Sequence, residues 1–245
     1  MSTASIIIIG DEILANKFID ENTPFLLNRC AQLHLEVLSV QIIPDVLERI
    51  ASAVRTESTR STYVFTTGGV GPTHDDMTFE GVAKAFGIPL ERHPTLVSLI
   101  NQYGSTGSVK EAAYRMADVP KGTTLIPTSR GFPQIQVRNV FIFPGVPRLL
   151  KSKFAAIEHL LVGREKHHAK VYLNTYESPI AFALSSAQDR NPDVALGSYP
   201  RMGETPSLIL TVQGYDRDRV FKVQTELETI FHVYLDPGSY GKFSE

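Results

Sequence analysis

Tyr63-Val64-Phe65-Thr66-Thr67-Gly68-Gly69-Val70-Gly71-Pro72-Thr73-His74-Asp75-Asp76-Met77-Thr78 is the stretch from which the rest of the chain can be read. An apolar run, a glycine-rich turn and then Phe79, Val82, Ala83 and Phe86 at helical spacing spell strand, turn, helix, with Gly87 and Pro89 closing the helix. Glycines let the backbone approach a ligand closely, and the start of the following helix offers unpaired N–H groups to an anion. The turn is therefore a candidate phosphate site. Asp75 and Asp76 would repel a phosphate unless a cation lay between, so the expected ligand is phosphorylated and accompanied by a divalent metal.

Upstream, Ile6-Ile7-Ile8-Ile9 is β-branched without alternation, as in a strand covered on both faces of a parallel sheet. Gly10-Asp11-Glu12 follows, then a helix from about Asn22 with Pro24 in its first turn and Leu26, Leu27, Cys30 and Leu33 on its buried stripe. A strand over 35–43 ends at Pro44, and Asp45 opens a helix carrying Val46, Leu47, Ile50 and Val54. Downstream the pattern predicts short helices over 94–103 and 109–116 around a flexible Gly104-Ser105-Thr106-Gly107-Ser108. Strands follow at 124–126, 135–137 and 139–143. The last runs into Pro144-Gly145-Val146-Pro147 and a helix through Leu161. Four strand-to-helix junctions thus carry polar or glycine-rich residues, and in a doubly wound sheet such junctions share the edge where ligands bind. The expected fold over 1–165 is a three-layer, doubly wound, mostly parallel α/β sheet.

The charged Gly163-Arg164-Glu165-Lys166-His167-His168 reads as a boundary. Beyond it, strands over 170–176, 194–199 and 207–213 and helices over 179–189 and 218–231 make residues 166–245 a small α+β unit with an antiparallel sheet.

Composition narrows the function classes. Across 245 residues, 24 Lys+Arg against 26 Asp+Glu give a net charge of -2 with no long basic run, which argues against nucleic acid or an anionic membrane held by bulk charge. The single cysteine, Cys30, excludes an intrachain disulfide and suits a reducing compartment. No apolar run approaches the roughly 20 residues a membrane helix needs. Ser5-Ile6-Ile7-Ile8-Ile9 lacks the basic start of a signal peptide. A soluble, cytoplasmic protein is expected. The glycine turn lacks the Gly-Lys-Ser/Thr ending of a P-loop, and neither a Ser-His-Asp order nor a nucleophile elbow is present, so kinase and serine hydrolase readings fall away.

Asp45, Asp75 and Asp76 are the candidate metal ligands and catalytic carboxylates. Each can instead cap a helix, and one of Asp75 and Asp76 is expected to cap. Asp11 and Glu12 either form a simple turn or approach the same metal. Carboxylates without a Cys or His cluster suit Mg²⁺ or Mn²⁺ better than structural zinc. His74 is a general acid or a ligand, or else a solvated loop residue. Arg130, beside Ser129, either clamps a phosphate or points to water. Substrate contacts are expected from Gly10, Asp11, Glu12, Thr67, Gly68, Gly69, Gly71, Pro72, Thr73, Ser129, Pro144 and Gly145.

The 66–78 stretch, with Gly10-Asp11-Glu12-Ile13-Leu14 and Phe143-Pro144-Gly145-Val146-Pro147, resembles the molybdopterin-binding (MoaB/MogA-like) domain, in the version found at the N-terminus of CinA proteins and of animal FAD synthetase. The resemblance covers about residues 5 to 161. The region from about Lys170 resembles the small KH-like domain that follows in CinA, and the chain departs from CinA at Arg148-Leu149-Leu150, where those proteins usually show Glu-Met. The resemblance implies the domain pair alone, with no synthetase or deamidase module. It implies metal- and K⁺-dependent hydrolysis of a diphosphate, FAD to FMN and AMP or ADP-ribose, with Mg²⁺, Mn²⁺ or Co²⁺, as described for stand-alone FAD pyrophosphatases. It equates Asp45 and Asp76 with aspartates used by adenylylating members, and it implies a homo-oligomer, dimer or trimer. The alternative is a molybdopterin or nucleotide binding domain without catalysis.

Overall fold

Alternate isoleucines of the first strand enter opposite layers. In the computed structural model, which describes residues 2–102, 107–129 and 131–236, β1 (Thr3–Ile9) sends Ile6 and Ile8 into one core and Ile7 and Ile9 into another. That double burial is why the run needs no polar alternation. Each such side chain contributes about 1.5–3 kcal/mol.

The chain divides into two compact units, Met1–Arg164 and Glu165–Glu245. In the first, β1 is followed by the short α1 (Asp11–Leu14), α2 (Asn22–Gln32), β2 (Glu36–Ile43), α3 (Leu47–Arg60), β3 (Tyr63–Thr67) and α4 (Thr78–Phe86). Next come β4 (Leu90–Arg92), α5 (Pro94–Gln102), α6 (Gly107–Tyr114), β5 (Asp118–Pro120), β6 (Thr124–Ile126), β7 (Gln134–Val137), β8 (Val140–Phe143) and α7 (Pro147–Ile157). The main sheet has the order β2-β1-β3-β8-β7-β6, parallel through β8 and antiparallel beyond it. Ile50 and Val54 of α3, Phe79 and Val82 of α4 and Leu96 and Ile100 of α5 cover one face. Leu26 and Cys30 of α2 and Leu150, Phe154 and Ile157 of α7 cover the other. The layers are those expected from the periodicity. Gly104-Ser105-Thr106 lies outside the described residues.

Two features of this unit position the site. Register sets Ile9 beside Ile43, Ile8 beside Thr67 and Thr67 beside Phe143, so the four junctions leave the sheet side by side. Phe65, with its ring centroid 5.6 Å from that of Phe154 and 6.2 Å from that of Phe143, ties α7 to the sheet and so holds the Pro144–Pro147 turn in place. The opposite edge is closed by a buried carboxylate. Glu57, 1% exposed, accepts hydrogen bonds from the Ser5 hydroxyl (2.7 Å) and the Gln41 amide (2.7 Å), and Ser5 is linked in turn to Ser61 (2.6 Å).

The pair β4–β5 and the helix α1 are absent from the sequence reading, because these segments of three or four residues carry neither a β-branched run nor a helical stripe.

The second unit contains β9 (His167–Leu173), α8 (Glu177–Arg190), β10 (Ala195–Pro200), β11 (Leu208–Gly214) and α9 (Arg217–Ile230). Its sheet, β10-β11-β9, is antiparallel throughout. Ala169, Val171 and Leu173 face Val220, Val223 and Leu227 in its core. Asp216 caps α9 by accepting from the Arg219 N–H at 3.0 Å. His167 and His168, read from sequence as boundary residues, instead begin β9, paired with Gly214 and Gln213. The alternation that starts at Ala169 extends the strand back through them, which charge and polarity alone conceal.

Candidate active site

The glycine turn is held in place from three sides. Gly68 has φ +101°, and a Cβ there would lie 1.9 Å from the Ile9 carbonyl oxygen, so neither the conformation nor the space admits another residue. Its N–H continues the parallel ladder to the Phe143 carbonyl (3.2 Å). Its own carbonyl accepts from the Thr78 hydroxyl at 2.7 Å, and the Thr78 N–H donates to the Gly69 carbonyl at 2.9 Å. Thr78, fully buried, therefore fastens the turn to the head of α4.

Neither aspartate of the pair caps that helix, contrary to the reading from sequence. Asp76 folds back into the turn: its Oδ2 accepts from the Thr73 N–H (2.9 Å) and hydroxyl (2.5 Å) and lies 2.7 Å from where a Cβ on Gly71 would stand. The turn 73–76 thus places successive residues on opposite sides. The Asp75 side chain is 67% exposed, with His74, itself 95% exposed, 3.9 Å away as its ion partner. Asp45 does not cap α3 either. Its Oδ2 accepts from the Asp11 N–H at 3.0 Å, and its Oδ1 lies 3.1 Å from where a Cβ on Gly69 would stand. Burial, and then the neighbouring charges of Glu12, Asp11 and Asp75, push the Asp45 carboxyl above its ordinary range, against the opposing pull of the Asp11 amide.

The corner between β3 and β8 is clamped by a residue that helix periodicity marked only as a helix start. Asn22 is 7% exposed, and its Nδ2 donates to the Gly145 carbonyl (2.8 Å) and the Thr67 hydroxyl (3.1 Å), while Thr67 donates to the Pro144 carbonyl (3.0 Å). The Asn22 Oδ1 is buried without a hydrogen-bond partner among the described residues. Asp20 orients the start of α2 by accepting from the N–H groups of Asn22 (2.9 Å) and Thr23 (3.0 Å).

These groups surround one cleft of about 740 Å³. Its floor is Thr67, Gly68, Gly69, Gly71, Pro144 and Gly145, flanked by the carboxylates of Glu12 and Asp76. Its rim carries the apolar Ile13, Phe18, Ile19, Val146 and Leu149 together with the acidic Asp20 and Glu21. Sequence reasoning missed the rim and Asn22, and the signal for Asn22 and for Ile13, Phe18 and Ile19 of the rim was the 13–22 segment between Glu12 and the α2 stripe. Gly10, Asp11, Asp45 and Asp75 lie off the cleft wall, although Asp45 backs Gly69. Pro72 and Thr73 are exposed outside it, and Thr73 serves by holding Asp76. Ser129 is exposed and also lies off the wall, because its loop follows β6, the strand at the far end of the sheet order. Arg130 lies outside the described residues.

Among the described residues no three His, Cys, Asp or Glu side chains converge closely enough to hold a metal ion. Asp45, Asp75 and Asp76 are therefore not a closed protein cage. The carboxylates of Glu12 and Asp76 at the cleft are oxygen donors of the kind a hard cation takes. Among the described residues, no helix is long and apolar enough to cross a membrane.

Residues 5–162 match the model of a family described as "Probable molybdopterin binding domain", and residues 165–234 match "FAD synthase, middle domain". A protein of Archaeoglobus fulgidus is 30% identical over 93% of this chain and 97% of its own length. A probable FAD synthase of Caenorhabditis elegans is 28% identical over 93% of this chain, which spans 46% of that relative. The crystal structure of CinA, of unknown function, from Thermoplasma acidophilum superposes on 66% of this chain and 98% of its own, at 30% identity and a TM-score of 0.61.

Proposed function

The chain belongs to the molybdopterin-binding domain family, and on that footing we propose that it is a metal-dependent hydrolase of a nucleotide diphosphate bond, splitting FAD into FMN and AMP or acting on ADP-ribose. The observation that carries this reading is the pairing, in one cleft, of a side-chain-free turn at Gly68, Gly69 and Gly71 with the carboxylates of Glu12 and Asp76. Bare backbone binds phosphate oxygens, whereas carboxylates beside it make sense only with a cation between them. The match of residues 165–234 to the FAD synthase middle domain, and the FAD synthase relative, support a flavin dinucleotide as substrate.

Asp76 and Glu12 would contribute carboxylate oxygens to a bound Mg²⁺, Mn²⁺ or Co²⁺, which would supply neutralisation of charge on the diphosphate. The chain's own residues do the rest. The 68–71 backbone seats the diphosphate, and the Asn22 bridge from Thr67 to Gly145 keeps the two junction turns at a fixed separation around it. Thr73 fixes the carboxylate plane of Asp76. Asp45, whose carboxylate is made a stronger proton acceptor than a free one by burial and acidic neighbours, is the group behind Gly69 suited to take a proton from the attacking water. A K⁺ requirement belongs to the same reading. So does self-association: Leu38, Val40 and Ile42 leave an apolar stripe, each side chain about two-fifths exposed, along the edge strand β2.

A second reading, a nucleotide or molybdopterin binder without catalysis, is favoured by the lack of a three-ligand metal cluster among the described residues. One experiment separates the two. FAD and ADP-ribose are incubated with the protein, K⁺ and each metal in turn, and products are resolved by chromatography while thermal stabilisation is recorded in parallel. FMN and AMP formation supports hydrolysis; stabilisation by FAD without product establishes the binder and overturns the hydrolase.

A further inference from the structure

The cleft holds more than a diphosphate needs. At about 740 Å³ it falls within the range of sites that take a whole small molecule, and its lining combines backbone turns and carboxylates, Asp20 and Glu21 among them, with large apolar side chains. The floor is backbone and carboxylate. The rim carries Phe18, 67% exposed, Ile19, 87% exposed, Val146, 54% exposed, and Leu149, 43% exposed. Four large apolar side chains left to water on the wall of one polar-floored cleft are not accounted for by the core, which lies beneath them.

Nor is their exposure a loose loop's accident. The segment that carries Phe18 and Ile19 is tied at both ends. The N–H groups of Lys17 (2.9 Å) and Phe18 (3.4 Å) both donate to the Glu12 carbonyl, and Asn16 takes φ +52° to make that turn. At the other end Asp20 accepts from Asn22 and Thr23. The same two anchors therefore set Glu12, Phe18 and Ile19 in one frame on the wall of the cleft.

We infer that Phe18 and Ile19 form a ring-binding subsite: they hold the planar heterocycle of a nucleotide whose phosphates lie on the 68–71 turn, and so select nucleotides over ring-free phosphates. This rests on the phosphate reading of the cleft floor. Aromatic and apolar walls bind any base through its π-face, worth on the order of a tenfold to hundredfold gain in affinity per ring. The subsite is a determinant of substrate choice and takes no part in bond cleavage.

Two ligand pairs that differ only in the ring-bearing part test it: ADP against inorganic pyrophosphate, and FMN against inorganic phosphate. Each is titrated calorimetrically into the whole chain with Mg²⁺ present. The wild type is expected to bind at least one ring-bearing member more tightly than its ring-free partner. Phe18→Ala combined with Ile19→Ser is expected to reduce that advantage by about tenfold and leave pyrophosphate and phosphate binding unchanged. An equal loss for ring-bearing and ring-free ligands would mean that the rim merely supports the floor, and no loss at all would mean that it touches no ligand; either overturns the subsite. A change of sedimentation coefficient in the variant with unaltered ligand affinities assigns the rim to contact with a second copy of the chain and also overturns it. Wild-type binding of pyrophosphate without preference for a ring defeats the subsite alone. Failure to bind any of the four ligands defeats the phosphate site with it.

Discussion

The two edges of the main sheet both place carboxylates near strand ends, yet they treat them in opposite ways. At one edge Glu57 is sealed from water and its oxygens are taken by Ser5 and Gln41, with Arg60 3.5 Å away. At the other, among the described residues, Asp76 is tied only by Thr73, on the same turn, and Asp45 only by the Asp11 amide, so each keeps oxygen capacity for another partner. The Asp45 carboxyl is also driven upward by burial and by Glu12, Asp11 and Asp75, which marks a field short of positive charge. A satisfied buried carboxylate specifies structure, whereas a crowded and under-satisfied one is held ready for a ligand.

Four outcomes sharpen or break that contrast. Asp76→Asn is expected to lower FAD hydrolysis by roughly 10²–10³-fold, with the melting temperature kept or raised. Near-normal turnover in a chromatographic assay would remove Asp76 from the reaction. Glu57→Ala should do the reverse, costing about 3 kcal/mol in urea unfolding while the rate per folded molecule stays the same, because Ser5 and Gln41 lose a buried acceptor. Thr73→Ala should reduce turnover about tenfold through a less well oriented Asp76, with stability little altered.

The smallest effect is the pH signature of Asp45. Its folded pKa lies above the ordinary 3.8, so the native state binds more protons than the unfolded one between that value and the folded pKa. Its contribution to stability therefore falls as pH rises through this window and is constant above it. Asp45→Asn keeps an acceptor for the Asp11 amide, removes the slope and should slightly raise the melting temperature at neutral pH. A difference in melting temperature between variant and wild type that is flat across this window would show that Asp45 is not under the strain described.

Outside both edges, Lys153 offers a check of the same linkage with opposite sign. Burial lowers its ammonium to about 8, although the Phe132 (2.9 Å) and Pro133 (2.5 Å) carbonyls accept its protons. Between about 8 and its ordinary 10.5 the unfolded chain binds more protons, so stability should rise with pH there. Lys153→Met should abolish the rise in a series of thermal melts.

The layered fold was readable because its signals are local and repeated. Four isoleucines in a row, the stripes of α2, α3 and α4 and the closing Gly87 each constrain one element, and the connection rules of parallel sheets then leave few arrangements. Some roles of site residues were not readable in the same way. Asp45, Asp75 and Asp76 look alike as acids beside a turn, and only the turn's dihedral path decides that Asp76 folds inward while Asp75 points out. Asn22 carries a helix-start signal, and its contact with Gly145 spans 123 positions, which no local pattern encodes. Ser129 has the turn chemistry of a binding loop but sits at the wrong end of the strand order.

By itself, then, the sequence determines which segments are strands and helices, where the glycine turn must bend, and that carboxylates gather at strand ends, because these follow from side-chain volume, periodicity and allowed φ. Only the tertiary structure decides which carboxylates face the cleft, that Asn22 joins two turns far apart in the chain, and that Phe18 and Ile19 share one cleft with the glycine turn. Those facts depend on register and on one-residue turns of direction, and a single residue's rotation moves a side chain from the cleft to solvent without altering the pattern that folds the chain.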